Sequence, residues 1–127
     1  MWMKSAVNSS RGTAPIDTII VHHAGCNVGI VLSTFPSQKR PHSMIDTDGQ
    51  IVKLCRDLRS AAHAGKSRWK GVIGMNPSSI GIEILNTTGV YPEAQYLALL
   101  GLLDRLTSNF SSVESWNIIG SQRHWNK

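Results

Sequence analysis

No stretch of this 127-residue chain approaches the ~18 to 20 consecutive apolar residues that a bilayer-spanning helix needs. Its opening, Met1-Trp2-Met3-Lys4-Ser5-Ala6-Val7-Asn8, also lacks the apolar core of a secretory signal, so the chain as given is expected in the cytoplasm. Cysteine is scarce. Without an export signal, the pair Cys26 and Cys55 is expected as free thiols. No staple is needed for folding, because a chain of this length buries roughly two thirds of the surface its unfolded form exposes. Repeats and low-complexity segments are absent. The expectation is a single domain over 1–127, with 1–15 as an N-terminal extension and 121–127 as a divergent tail. Acidic residues are few, 8 against 13 Lys and Arg, and the net charge of +5 favours polyanions. The basic residues Lys39, Arg40, Arg56, Arg59, Lys66, Arg68 and Lys70 are scattered, with no groove-reading helix or RNA-binding aromatic motif among them, which argues against nucleic acid.

What the chain does contain is two polar interruptions of strand-like runs. Glu83 breaks Ser79-Ile80-Gly81-Ile82-Glu83-Ile84, and His22-His23 ends Ile19-Ile20-Val21. A carboxylate or imidazole in such a run must be paired, bound to a metal or placed at a strand end facing a cleft. A satisfied core polar group is the alternative for either one alone. Alternation along a strand puts His22 and His23 on opposite faces. A coarse pass gives an α/β order. Strands are expected at 16–22, at 43–46 with 50–54 as a hairpin turned by Thr47-Asp48-Gly49, at 79–85 and at 116–120. Residues 25–36 read as a loop or short helix. Pro92 opens a helix whose apolar positions Tyr96, Leu99, Leu100, Leu103, Leu106 and Phe110 are expected to face the sheet.

Four segments carry a resemblance. Ile16-Asp17-Thr18-Ile19-Ile20-Val21-His22-His23-Ala24-Gly25, His42-Ser43-Met44-Ile45-Asp46-Thr47-Asp48-Gly49, Ala62-His63-Ala64-Gly65 and Asn76 through Asn86 run in one order and spacing. In that order they resemble the zinc N-acetylmuramoyl-L-alanine amidases, which include phage lysozyme-type amidases, muropeptide-recycling amidases and peptidoglycan recognition proteins. The resemblance implies a mixed central sheet flanked by helices. It also implies hydrolysis of the bond between N-acetylmuramic acid and the L-alanine of the stem peptide, with peptidoglycan or muropeptides as partners and zinc as cofactor. By the same resemblance His22 is the first zinc ligand and Glu83 the catalytic acid–base, which burial among Ile80, Ile82 and Ile84 would tune upward in pKa. Substrate contacts are expected from His42, His63, Trp69 and Asn76. Ala62 stands where the family has tryptophan and Ser43 where tyrosine is common. Cys26, close after His22, has no family role as a ligand. A basic rim would hold the stem carboxylates. A phage-derived chain acting on the cell wall is the alternative to a cytoplasmic one.

The resemblance fails at the end. The family continues Gly-His-Ser-Asp, the histidine being the second ligand, and later supplies a lysine and a third ligand. Here the chain reads Gly120-Ser121-Gln122-Arg123-His124-Trp125-Asn126-Lys127. Ser121 occupies the second position, the third has no counterpart, and His124 is the candidate substitute. Codons such as TCA CAG CGA CAT TGG AAC AAA give His-Ser-Asp-Ile-Gly-Thr when read one nucleotide later, so a frame shift at the Ser121 codon of a once longer amidase is one reading of the tail. The resulting expectation is weak or absent zinc. A zinc-free peptidoglycan-binding module is the competing functional class.

Overall fold

The computed structural model describes residues 8–27, 29, 40–64 and 68–121, with backbone alone at 68, 69, 72 and 73. Strands β1 (Asn8–Ser9), β2 (Thr18–Ala24), β3 (Ser43–Ile45), β4 (Ile51–Lys53), β5 (Ser60–Ala61), β6 (Arg68–Trp69) and β7 (Val72–Ile73) precede β8 (Ser79–Leu85), helix α1 (Glu93–Asn109) and β9 (Ile118–Gly120). Five of them form a mixed sheet in the order β4-β3-β8-β2-β9. The pairs β3·β8, β8·β2 and β2·β9 are parallel, and β3·β4 is antiparallel.

The central strand is β8, and its near-continuous apolar sequence suits a position covered on both faces. On one face Ile80 and Ile82 join Ile19 and Ile45 beneath Leu102 and Leu106 of α1. On the other, Leu85 packs with Ala24, Met44, Val52, Leu54 and Ala61, and Ile20 packs with Ala64 and Met75. The period-2 alternation of β8 places Gly81 and Glu83 on this second face.

The hairpin expected from Asp48-Gly49 is present. Gly49 takes φ +86°, its N–H donates to Asp46 O at 2.9 Å, and Asp46 N–H donates to Gln50 O at 2.9 Å. β2 runs two residues beyond the expected end, because His23 and Ala24 stay in register with Ile84 and Leu85. The last strand is shorter than expected. Residues Ser115–Asn117 form a 3-10 turn, Asn117 N–H donating to Glu114 O, and Trp116 is exposed. Of the segment 25–36, most lies outside the described residues.

The helix face differs from the apolar stripe. Leu99, Leu103, Leu106 and Phe110 do pack on the core, but Tyr96 and Leu100 are 51% and 45% exposed. The physical reason is Gln95, which is fully buried and donates from Nε2 to the carbonyls of Ile45 (3.0 Å) and Leu85 (2.7 Å). Those two strand-end carbonyls set the rotation of the first turn. At the other end of the chain, residues 8–11, expected as an extension, are built in. β1 pairs with β5, and Arg11 is buried.

Candidate active site

Parallel pairing sets His22 of β2 directly beside Glu83 of β8, and Glu83 beside Met44 of β3, all on the face away from α1. On the far side of β2, Gly120 pairs with Val21 and the N–H of Ser121 donates to Val21 O at 2.9 Å. One further step of that register brings Ser121 alongside His22. Three positions that the sequence spreads over 100 residues thus form one row near the carboxyl ends of parallel strands, where open α/β sheets place ligands.

Glu83 is 7% exposed, and among the described residues its carboxyl has no hydrogen-bond or ion-pair partner. Burial raises its pKa from 4.5 to about 7. A buried, uncompensated carboxyl titrating near neutrality is a poor structural device and a good proton carrier.

His22 is held from beneath. Its Nε2 lies 3.0 Å from Nδ1 of His63, the rings meeting edge-on, and burial lowers its pKa to about 4. His63 in turn contacts Ser79 Oγ through Nε2 at 3.0 Å. Its pKa is lowered by burial first, then by the neighbouring His22, His42 and Arg11. The ring lies flat against β8 because residue 81 is glycine: a Cβ there would sit 2.4 Å from the imidazole.

His42 lies deeper, at 0% exposure. Its Nδ1 accepts the N–H of Gly81 at 3.0 Å, so the ring proton is on Nε2, which donates to Arg59 O at 2.8 Å. Arg11, 3.0 Å from that nitrogen, cannot donate to it and acts on it as a charge. Burial first, and the Arg11 charge among the lesser causes, lowers the His42 pKa to about 4. The substrate contact expected of His42 has no surface through which to act. Asn76 is occupied as well: its Oδ1 accepts the N–H of Ala64 at 2.8 Å. Trp69 falls on β6, with its side chain outside the described part, as are His124 and the rest of the tail.

Sequence reasoning missed Arg11, Ser79 and Gly81. Arg11 donates five hydrogen bonds to the backbone carbonyls of Asp57, Asn76, Pro77 and Ser79, clamping the two loops that flank His42. Nothing in its local sequence announced this. Gly81 did carry a signal, since a glycine inside an apolar strand marks a close approach. On the opposite face His23 meets Tyr91, hydroxyl to Nδ1, as its alternation from His22 requires. Cys26 and Cys55 are free thiols, both raised in pKa by burial.

Among the described residues the donor set is incomplete for zinc. A zinc site takes three protein bases and one open position, and among the described residues no three His, Cys, Asp or Glu side chains are grouped so as to hold a metal ion. Of the row His22, Glu83 and Ser121, one member is an imidazole and another a neutral hydroxyl. Among the described residues no helix is long and apolar enough to cross a membrane.

Known proteins share this fold. The solved selenomethionine AmpD derivative superimposes with a TM-score of 0.79 at 23% identity, over 94% of this chain and 79% of that one. The Escherichia coli amidase AmiD, solved with its substrate anhydro-N-acetylmuramic acid-L-Ala-D-gamma-Glu-L-Lys, gives 0.75 at 24% identity over 88% and 51%. In sequence, AmpD of Citrobacter freundii, a 1,6-anhydro-N-acetylmuramyl-L-alanine amidase, is 36% identical over 57% of this chain and 39% of its own length. The Rickettsia conorii protein RC0497 is 33% identical over 82% of this chain and 40% of its own length. The chain therefore spans about two fifths of the curated relatives it matches. The profile described as N-acetylmuramoyl-L-alanine amidase matches residues 12–127, and with nearly the whole sequence inside that match, this chain belongs to the N-acetylmuramoyl-L-alanine amidase family.

Proposed function

We propose that the chain is a peptidoglycan amidase, hydrolysing the bond between the lactyl group of N-acetylmuramic acid and L-alanine of the stem peptide. The observation that carries this reading is Glu83, a nearly buried carboxyl with no partner among the described residues, beside His22 near the carboxyl ends of two parallel strands. With a pKa of about 7 it takes a proton from an attacking water as a carboxylate and returns it as a carboxylic acid. The water oxygen bonds to the lactyl carbonyl carbon, the C–N bond breaks, and the returned proton leaves on the alanine nitrogen. His22, the family's first ligand position, faces the same space. Zinc is what the family implies for polarising the carbonyl; the described residues do not complete its site, so no step here runs through it.

That same donor set favours a second reading, a zinc-free module that binds peptidoglycan fragments without cleaving them. Incubating the protein with anhydro-N-acetylmuramic acid-L-Ala-D-gamma-Glu-L-Lys, the compound bound by AmiD, separates the two. Release of the free tripeptide supports the amidase. Saturable binding without release supports the module, and neither binding nor release contradicts both.

A further inference from the structure

The contacts around His63 leave one consistent placement of protons. Ser79 Oγ lies 2.6 Å from the carbonyl of Met75. A carbonyl only accepts, so the single hydroxyl hydrogen points there. Ser79 Oγ is therefore the acceptor at its 3.0 Å contact with His63 Nε2, and that nitrogen carries a proton. His63 is 8% exposed and has no carboxylate among its partners, and Arg11 already places a positive charge beside the adjoining His42. A second ring proton would thus leave a buried, unpaired cation. Nδ1 of His63 is left as a lone pair, facing Nε2 of His22 at 3.0 Å. That contact is a hydrogen bond only if His22 Nε2 is the donor.

We propose that Ser79 and His63 are positioning residues that fix His22 as its Nε2–H tautomer, so that Nδ1 is its remaining lone pair. The relay runs Met75 C=O, Ser79 hydroxyl, His63, His22, each member donating to the one before it. Gly81 is its seat, since any side chain there would displace the His63 ring. Among the described residues nothing bonds to His22 Nδ1. A neutral imidazole ligand or acceptor is directed by the hydrogen bond its other nitrogen makes. The importance of this orientation for hydrolysis rests on the amidase reading; the proton placement does not.

Long-range proton–nitrogen NMR on uniformly ¹⁵N-labelled protein at neutral pH reads the tautomers directly. Expected for both His22 and His63 is a protonated-type Nε2 and an unprotonated-type Nδ1. A His22 spectrum with Nδ1 protonated, or with both nitrogens averaged, overturns the proposal. In Ser79→Ala the His63 Nε2–H loses its acceptor, and the His22 nitrogens are expected to move towards the averaged shifts of mixed tautomers while circular dichroism stays native; Ser79→Thr, which keeps the hydroxyl, restores the pattern. An unaltered His22 pattern in a folded Ser79→Ala removes Ser79 from the relay. If Ser79→Ala does not fold, the wild-type spectrum decides alone. The expected tautomers in a protein that cleaves no muropeptide would count against the amidase reading and leave the relay standing.

Discussion

Glu83 on one side and His22 and His42 on the other make stability depend on pH in opposite directions. The Glu83 pKa is raised from 4.5 to about 7, so its contribution is fully present below pH 4.5 and is lost as pH rises towards 7. The loss is on the order of 3 kcal/mol, an upper bound for a group that keeps some exposure. His22 and His42, lowered from 6.5 to about 4, contribute stability that is present above pH 6.5 and lost as pH falls through 4. Glu83→Gln isolates the first effect. Its melting temperature is expected to exceed that of the wild type at pH 8 and to match it near pH 4; equal values at both would show that the carboxyl is not held neutral by burial. Arg11 makes the other residue-scale prediction. Removing its guanidinium leaves four backbone carbonyls without that donor, so Arg11→Met should lower the unfolding free energy by about 3 kcal/mol or more in urea titration. Glu83 and His22 were legible in the sequence because each breaks an apolar run. Arg11 was not, because its partners are carbonyls 46 to 68 residues away, which no local pattern encodes.

The strands were legible where two faces are buried. Ser79–Leu85 was read to the residue, since the apolar run and the covered strand coincide. The helix was read in extent but not in rotation. A 3.6-residue apolar stripe admits more than one inward face, and the choice fell to a glutamine that periodicity scores as polar. The difference is measurable: Leu106→Ala should lose about 2 to 5 kcal/mol, and Leu100→Ala less than about 0.5. Comparable losses would restore the stripe that the sequence suggested. A further prediction concerns the hairpin. Gly49→Ala combines positive φ with a Cβ 2.7 Å from the carbonyl oxygen of Ala94, so it should loosen both the β3·β4 turn and the start of α1. Faster amide exchange at Asp46 to Gln50 and at the first turn of the helix is the expected sign; exchange confined to the turn would argue against that contact.

On the scale of the whole molecule, the sheet brings together what the sequence holds apart. His22 and Glu83 come from neighbouring strands and Ser121 from the residue after a third, and their adjacency follows from parallel register and the Ser121 N–H bond to Val21 O. The same register explains why the tail matters. Ser121 follows the edge strand β9 directly beside His22, so the residue at 121 and those after it decide whether the row can gather further ligands. The measurement that tests the central claim most directly is turnover of anhydro-N-acetylmuramic acid-L-Ala-D-gamma-Glu-L-Lys in zinc-supplemented buffer, comparing the wild type with Glu83→Gln by mass spectrometry of the released tripeptide. Expected is release by the wild type that falls ~10²- to 10⁴-fold in a natively folded Glu83→Gln. Equal release by the two proteins, or none from either despite binding, would contradict the placement of an amidase centre at Glu83.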